Sequence, residues 1–401
     1  MRILTGSGFF AAWMNGPTKE ETENCLSKED AISARLSILA RWTALDQLNN
    51  LIELIICDFL SLQNFERNMM MNLGCFLNFF VLVSWTFMAS TISEADPDPT
   101  RMTSALLIRV DQSGKGDFQK IQDAINAVPS NNSELVYIWV KAGIYTEKIV
   151  VPADKPFITI SGRNAAETVI TWKEGGEIYE SPTFSVLASD FVARSLTIQN
   201  TNGGKAVALW VAGDRAAFYG CRIMSNQDTL LDDTGRHYYR NCYIQGDTDF
   251  ICGNAASLFE KCHLQSLSDL AGAITAQRRE SPSENTGFTF LGCKITGVKS
   301  AVLGRPWGPY SRVVFAFTYM SSIVLPQGWD DWGSASNQKT SYYGEYKCYG
   351  AGANTSKRVQ WSHSLMTVQE AAPFLTKDSI GGKSWIRPSP TSFKKFSPIS
   401  N

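Results

Sequence analysis

Two aspartates stand at equivalent places in neighbouring segments of this sequence. Asp228 lies seven residues after Cys221. Asp249 lies seven residues after Cys242. If these segments are adjacent coils of one repeat, the two carboxylates lie one above the other, on the order of 5 Å apart. Charges this close repel by about 3 kcal/mol, so one carboxyl keeps its proton to a higher pH than the other. A protonated acid beside a carboxylate can supply a general acid and a nucleophile.

The spacing alone does not select one pair of carboxylates. Asp269 lies seven residues after Cys262, so the same offset applies to it. Aspartates in the turns of a solenoid also commonly bond only to backbone. The offsets therefore predict a carboxylate site, and they leave both its membership and its catalytic role open.

The offsets matter because these cysteines belong to a repeated pattern, which is aromatic-x-x-Cys-x-(Ile/Leu). It occurs four times, and successive cysteines are 21, 20 and 31 residues apart. The four copies are Phe218–Ile223, Tyr239–Ile244, Phe259–Leu264 and Phe290–Ile295. A period near 20–22 fits one coil of a parallel β-helix or a leucine-rich repeat, and the Leu-x-x-Leu-x-Leu signature is missing. We therefore predict an all-β parallel β-helix, in which the step of 31 marks a loop insertion of about ten residues.

Other features complete this architecture. Asp117 is a candidate cap for a short helix that ends at Pro129 and closes the N-terminal end of the solenoid. Stacked cysteines such as Cys221 and Cys242 are close enough to form a disulfide. We favour a buried ladder of small side chains instead. The six cysteines after residue 100 form no CxxC or Cys/His metal pattern.

The charge balance limits the class of partner. The chain has 37 Lys and Arg residues against 38 Asp and Glu, a net charge of -1. This balance excludes the broad basic surface of a nucleic-acid-binding protein, so we expect no nucleic acid partner. A polyanionic substrate would have to be held by local groups.

The first hundred residues read differently from the rest. Residues 71–95 resemble a signal peptide, with an apolar stretch from Cys75 to Ala89 and Arg67 as the positive flank. We expect residues 1–70 to be a leader extension of unknown role, with an uncleaved signal anchor as the alternative. Residues 96–401 would form the catalytic domain. Two N-glycosylation triplets, beginning at Asn131 and Asn354, agree with secretion of a glycoprotein.

Five ordered segments resemble the signature blocks of the plant pectinesterase family. They are Gly143-Ile-Tyr145-Thr-Glu147, Lys205-Ala-Val-Ala-Leu209, Gln227-Asp-Thr-Leu230, Asp249-Phe-Ile-Cys-Gly253 and Leu303-Gly-Arg-Pro-Trp307. The resemblance runs from about Leu106 to Phe374. It implies a right-handed parallel β-helix and an ester hydrolase that removes methyl esters from cell-wall homogalacturonan, the polymer of pectin. It implies no metal or organic cofactor, and the family's N-terminal inhibitor-like domain is expected to be absent.

The same resemblance implies roles for individual residues. Asp249 matches the nucleophile that attacks the ester carbonyl. Asp228 matches the acid that protonates the leaving methoxide and then activates water. Gln227 matches an amide donor to the oxyanion. Arg305 matches a guanidinium that bonds the nucleophile, which would lower its pKa and keep it ionised. The aromatic residues assigned to substrate binding are Trp307, Trp329 and Phe184.

Three positions depart from the family pattern. Lys205 stands where most members carry a second oxyanion-hole glutamine, and loss of such a donor typically costs about 3–4 kcal/mol in the barrier. Lysine is still a donor, and its charge could stabilise the oxyanion or pair with an aspartate. Cys252 and Leu231 replace common aromatics, which suggests altered contacts with the sugar chain.

Other classes of protein compete with this esterase as explanations of the sequence. A serine hydrolase lacks support because no Gly-x-Ser-x-Gly elbow occurs, and His237 is the one histidine placed to take part in catalysis. A β-helix lyase or polygalacturonase would share the fold and the polymer. A non-catalytic pectin-binding relative is the second reading, because of Lys205. We expect a secreted monomer in the cell wall, with pectin as partner and a proteinaceous pectinesterase inhibitor as a further candidate.

Overall fold

The computed structural model describes residues 103–396. The predicted leader, the signal peptide and the start of the catalytic domain at residue 96 lie outside the described residues. Within that range no helix is long and apolar enough to cross a bilayer.

The described chain is built from 26 short strands. The first thirteen are β1 (Ser104–Val110), β2 (Val136–Val140), β3 (Gly143–Thr146), β4 (Ile149–Val151), β5 (Ile158–Gly162), β6 (Thr168–Trp172), β7 (Phe184–Val186), β8 (Val192–Arg194), β9 (Thr197–Asn200), β10 (Leu209–Val211), β11 (Ala216–Tyr219), β12 (Arg222–Met224) and β13 (Leu230–Asp232). The others are β14 (Arg236–Arg240), β15 (Tyr243–Gly246), β16 (Ile251–Gly253), β17 (Ala256–Glu260), β18 (His263–Ser266), β19 (Gly272–Gln277), β20 (Gly287–Leu291), β21 (Lys294–Gly297), β22 (Ala301–Pro306), β23 (Arg312–Ala316), β24 (Tyr319–Met320), β25 (Tyr342–Tyr346) and β26 (Ser392–Lys395).

These strands form three parallel sheets. Sheet A has the order β25-β23-β20-β17-β14-β11-β8-β5-β2-β1-β26. Sheet B has the order β24-β21-β18-β15-β12-β9-β6-β3, and sheet C has the order β22-β19-β16-β13-β10-β7-β4. Each coil gives one strand to each sheet, as β11, β12 and β13 do, and the next coil adds β14, β15 and β16 beside them. The fold is a right-handed parallel β-helix, as predicted.

The repeated aromatic position forms a ladder inside the solenoid. Rings of successive coils stack with centroids 4.9 Å apart for Phe218 and Tyr239, and 4.5 Å apart for Tyr239 and Phe259. Phe290 continues the ladder 4.6 Å beyond Phe259. Because the rung spacing of a parallel sheet matches the offset stacking distance of aromatic rings, one residue type is favoured at this position in every coil.

The repeated cysteines form a second internal ladder. Cys221, Cys242, Cys262 and Cys293 are buried free thiols. The Cys242 Sγ lies 3.4 Å from the carbonyl oxygen of Phe218 in the preceding coil, and the Cys293 Sγ lies 3.2 Å from that of Phe259. The preferred reading of the cysteines as a ladder of small buried side chains is confirmed.

A short helix closes the N-terminal end, as predicted, but its cap differs from the prediction. Helix α1 (Ile121–Asn126) begins later than the sequence suggested, and Asp117 accepts a hydrogen bond from the Arg109 backbone N–H at 2.7 Å instead. The Glu147 carboxylate receives the first two N–H groups of the helix, from Ile121 and Gln122, each at 3.0 Å. Two further one-turn helices are α2 (Asn337–Thr340) and α3 (Val368–Ala371).

The extra residues predicted after Cys262 are present, but they are divided between the two sides of β19 instead of forming one loop. The connection from β16 to β17 uses residues 254–255, whereas the connection from β19 to β20 uses residues 278–286. The longer loop leaves sheet C beside the strand that carries Arg305, so it borders the candidate site.

Candidate active site

Asp228 and Asp249 occupy equivalent turns in two successive coils. Each turn joins sheet B to sheet C, and the strands that follow pair Leu230 with Ile251, each two residues after its aspartate. Both aspartates are buried and both have left-handed backbones, with φ of 60° and 51°. Aspartate tolerates this conformation better than most residues. The predicted register of the two residues is confirmed.

Asp269 does not join this pair. The strand pairing places Thr275 opposite Ile251, so Ala273 holds the position that corresponds to Asp249. The Asp249 N–H donates to the Ala273 carbonyl at 2.7 Å. Asp269 lies in the extra residues before β19, where it is exposed and forms an ion pair with Lys299 at 3.7 Å. An equal offset from the repeated cysteine therefore does not place a residue in register with Asp249 when the coil contains an insertion.

Arg305 approaches Asp249 from two strands away. Arg305 in β22 pairs with Ala276 in β19, and Ala276 pairs with Cys252 in β16. The small Ala276 side chain leaves room for the guanidinium to cross β19. Its Nε donates to Oδ1 of Asp249 at 2.8 Å, and Nη2 donates to Oδ2. Two parallel N–H bonds of this kind are strongest to an ionised carboxylate.

Burial and charge act differently on the two carboxyls. Burial and the neighbouring Asp249 charge raise the pKa of Asp228 to about 6, while Lys205 and Arg305 oppose the rise. Burial also raises the pKa of Asp249, and the hydrogen bonds and charge of Arg305 oppose that rise. Arg305 thus acts in the predicted direction, although burial outweighs it. The guanidinium contact favours the ionised form of Asp249.

Lys205 and Gln227 lie beside Asp228. A parallel β-bridge pairs Lys205 with Gln227 in the next coil. The Lys205 ammonium lies 3.7 Å from Oδ2 of Asp228, and 45% of its side chain is exposed. Lys205 therefore presents a positive charge to the carboxyl that has the raised pKa, where the family pattern would place a neutral amide.

One half-buried and one exposed aromatic side chain, Trp307 and Trp332, border the carboxylates. Trp307 packs against the outer face of sheet C, and the Arg278 guanidinium lies 4.9 Å from the centroid of its ring. Trp332 lies under the Arg305 guanidinium at 3.9 Å from the ring centroid, and 41% of its surface is exposed. Both rings can offer a flat face to a sugar.

The substrate-binding role predicted for Trp329 and Phe184 is wrong, because both side chains are buried. Trp329 is only 1% exposed, because it stacks on Tyr343 at 4.3 Å inside the solenoid and its Nε1 donates to Glu345. Phe184 is fully buried and packs on Phe191. Trp332 was missed. Two tryptophans stand three residues apart in this segment, and only the β-bridge between Gly304 and Trp329 decides which one faces inward.

A small apolar cluster forms the floor between the carboxylates and the aromatics. Its buried members, on or beside the outer face of sheet C, are Val207, Leu231, Cys252 and Ala276. Trp210, Ile178 and Trp307 pack over them. Leu231 and Cys252, two of the departures from the family pattern, therefore lie beneath the surface of this face.

His237 takes no part in this site. It is fully buried, its Nδ1 lies 2.6 Å from Oδ1 of Asp232, and its Nε2 lies 3.0 Å from the Gly213 carbonyl. Tyr239 donates to the same Asp232 oxygen at 2.6 Å. The serine-hydrolase alternative thus loses the one histidine that the sequence offered it.

The chain is similar to known proteins over most of its length. The family model described as Pectinesterase matches residues 107–383. The Arabidopsis thaliana protein designated pectinesterase 11 is 59% identical over 322 residues, which cover 79% of this chain and 91% of that protein. Pectinesterase 31 of the same species is 41% identical over 294 residues, which cover 68% of this chain and 92% of that protein.

Solved structures agree in fold. Pectin methylesterase from carrot is 34% identical, with a TM-score of 0.67, over 70% of this chain and 94% of that one. A mutant pectin methylesterase solved in complex with a hexasaccharide is 25% identical, with a TM-score of 0.59, over 74% of this chain and 98% of that one. The chain belongs to the pectinesterase family and is a carboxylic ester hydrolase.

Proposed function

We propose that this protein hydrolyses the methyl esters of homogalacturonan, giving pectate and methanol, with Asp249 as nucleophile and Asp228 as general acid and base. The observation that carries the proposal is the asymmetry of the two carboxyls. Asp249 is held ionised by both N–H groups of one guanidinium, while the stacked Asp228 has a pKa raised to about 6.

In the first half of the reaction an Asp249 oxygen attacks the ester carbonyl carbon at C6 of a galacturonate. The carbonyl oxygen becomes an oxyanion, which the Gln227 amide and the Lys205 ammonium stabilise. When this intermediate collapses, the bond from carbon to methoxy oxygen breaks. Asp228 gives its proton to the leaving oxygen, methanol departs, and an acyl-enzyme anhydride remains on Asp249.

In the second half Asp228 acts in the opposite direction. Now ionised, it removes a proton from water, and the hydroxide attacks the acyl carbon of the sugar. The bond to the Asp249 oxygen breaks, which restores the Asp249 carboxylate and leaves a galacturonic acid carboxyl on the polymer, and this carboxyl then loses its proton to solvent. Asp228 is again protonated. A pKa of about 6 suits a group that must give and take a proton in one cycle.

Lys205 gives this site a different electrostatic balance from a member with glutamine at that position. Its ammonium is 3.7 Å from Asp228, so it favours the ionised form of that acid. The same charge favours the oxyanion in the transition state. We infer an active enzyme in which Lys205 reduces the protonated fraction of Asp228 at a given pH and stabilises the negative charge of the oxyanion directly.

The substrate cleft follows the outer face of sheet C. Trp307 and Trp332 supply flat aromatic faces on which pyranose rings can pack. The relative solved in complex with a hexasaccharide supports a carbohydrate chain as the ligand. We further propose a secreted protein that acts in the cell wall, where its substrate lies.

The competing proposal is a pectin-binding relative without activity. Methanol release from methyl-esterified pectin separates the two, and the same reaction mixtures should show no new reducing ends and no unsaturated products. The Asp249→Ala variant is expected to release no methanol but still to bind pectin. If the wild-type protein binds pectin and releases no methanol, it is a pectin-binding relative without esterase activity.

A further inference from the structure

The outer face of sheet B carries an unusual row of side chains. Successive strands β12, β15, β18, β21 and β24 align one outward residue each, and the register pairs them in the order Arg222, Tyr243, His263, Lys294 and Tyr319. Tyr349 extends the row through a bridge to Tyr319, and it is exposed. We call these six residues the basic–aromatic row. At about 4.8 Å per strand, it runs for about 19 Å from Arg222 to Tyr319.

A second, parallel row on this face, which begins on β9, carries no charge. It consists of Gln199, Met224, Gln245, Gln265 and Thr296, which lie beside one another in the same register. Their hydrogen bonds run along the face, as from Tyr243 to Gln245 at 2.8 Å and between His263 and Thr296 at 2.7 Å. These bonds hold the side chains flat against the sheet.

The face has positive charge without matching negative charge. None of the outward residues of β9, β12, β15, β18, β21 and β24 is an aspartate or glutamate. Within residues 103–396 neither Arg222 nor Lys294 forms an ion pair; Arg222 lies over the Tyr243 ring, 5.2 Å from its centroid. The neighbouring turns into sheet B add exposed Lys261 and Lys347. This contrasts with a chain whose net charge is -1.

We propose that the basic–aromatic row is a second polysaccharide-binding surface, which takes a stretch of homogalacturonan with free carboxylates. Arg222 and Lys294 supply charged donors for uronate groups, and Tyr319 with the exposed Tyr349 beside it supplies ring surface for sugars. A repeating row of cations and aromatic rings matches a repeating acidic polymer along its length. The choice of this polymer rests on the proposed function, whereas the match to an acidic chain rests on the charges alone.

The basic–aromatic row lies where polymer bound to it could stay close to the catalytic cleft. The turns that carry Asp228 and Asp249 join sheet B to sheet C, so the row lies on the face adjacent to the catalytic cleft. A de-esterified stretch bound on sheet B would keep the enzyme on the polymer while sheet C takes up esterified units. Binding at two linked sites raises the local concentration of substrate without changing the chemical step.

The test measures binding to de-esterified polygalacturonate and methanol release separately. The double variant Arg222→Gln/Lys294→Gln is compared with Lys115→Gln/Lys120→Gln, which removes the same charge from exposed residues near the N-terminal end. We expect the Kd for polygalacturonate to rise about tenfold in the first and less than twofold in the second. Tyr319→Ala should weaken binding as well, and the charge-preserving variant Arg222→Lys/Lys294→Arg should bind like the wild type.

The activity readout distinguishes this surface from the cleft. The double variant should release methanol from a short methyl-esterified oligogalacturonide at the wild-type rate, and show a raised KM only on long, partly de-esterified pectin. The inference would be overturned if the double variant and its control bound polygalacturonate with equal affinity. It would also be overturned if the double variant lost as much affinity for fully methyl-esterified pectin as for polygalacturonate. If no variant or wild type releases methanol, the proposed function fails, yet the binding comparison still decides the question of this surface.

Discussion

Arg305 holds Asp249 by both carboxylate oxygens from a strand two places away in sheet C. This contact distinguishes two aspartates that the fold otherwise treats alike, with the same turn, the same left-handed backbone and similar burial. Because only Asp249 receives the guanidinium directly, its ionised form is favoured over that of Asp228, whose pKa is raised to about 6. The predictions below follow from that asymmetry and from the residues around it.

Replacement of Arg305 should impair the chemical step. Arg305→Lys keeps the charge but loses the paired N–H geometry, so we expect kcat for methanol release to fall by about 10²–10³. Far-ultraviolet circular dichroism should be unchanged, because Arg305 is partly exposed at the edge of the solenoid. A lysine variant with wild-type kcat would show that the bidentate contact is not needed.

Lys205→Gln should shift the pH profile to higher pH. The first step needs protonated Asp228, so kcat/KM falls as pH rises through its pKa of about 6. The Lys205 charge lowers that pKa, so its removal raises the pKa and lets the acid form persist to higher pH. We expect the alkaline limb to move up by up to about one pH unit.

The matched control for that shift is Lys299→Gln, which removes an exposed lysine paired with Asp269. Its pH profile should coincide with that of the wild type. An unchanged profile in Lys205→Gln, or an equal shift in both variants, would contradict the role assigned to Lys205.

The two tryptophans near residue 330 should behave in opposite ways. Trp329→Ala removes a buried ring from the core, so we expect a loss of about 3–5 kcal/mol in the free energy of unfolding. Trp332→Ala should leave stability almost unchanged and lower kcat/KM on pectin several-fold, because it removes a sugar-facing surface beside Arg305. Urea unfolding and steady-state kinetics on both variants check this, and the reverse pattern would restore Trp329 to the cleft.

Glu147 should stabilise the N-terminal cap. Its carboxylate accepts the first two N–H groups of helix α1, so Glu147→Ala is expected to cost about 1–2 kcal/mol in the free energy of unfolding. Asp154→Ala, at an exposed loop position, is the control and should cost less than about 0.5 kcal/mol. Equal unfolding midpoints for the two variants would argue against this cap.

The sequence predicted the parts of the molecule that repeat. A constant aromatic and cysteine pattern fixes the coil length, and the coil length places Asp228 and Asp249 in register without any knowledge of the structure. The same reasoning could not exclude Asp269. The step of 31 residues from Cys262 to Cys293 shows that this coil has extra residues, but it does not show whether they lie before or after β19. Only the pairing of Ile251 with Thr275 resolves that.

The repeat pattern could not predict contacts made by residues outside the repeat. Arg305 was identified through the family resemblance, since nothing in the coil spacing says that its side chain crosses Ala276 to reach Asp249. Trp329 and Trp332 differ only in which one enters the core. Glu147 caps a helix that lies more than twenty residues earlier in the chain, a contact that local helix signals such as Asp117 do not contain.

The central claim, that ionised Asp249 attacks the ester while Asp228 transfers protons, is tested most directly by single-turnover methanol release with enzyme in excess over methyl-esterified oligogalacturonide. The wild type should release all of its methanol, and Asp228→Asn should release it about 10²–10⁴ times more slowly. Asp249→Ala should release none above the rate without enzyme. Methanol release by folded Asp249→Ala at a rate near that of the wild type would contradict the account.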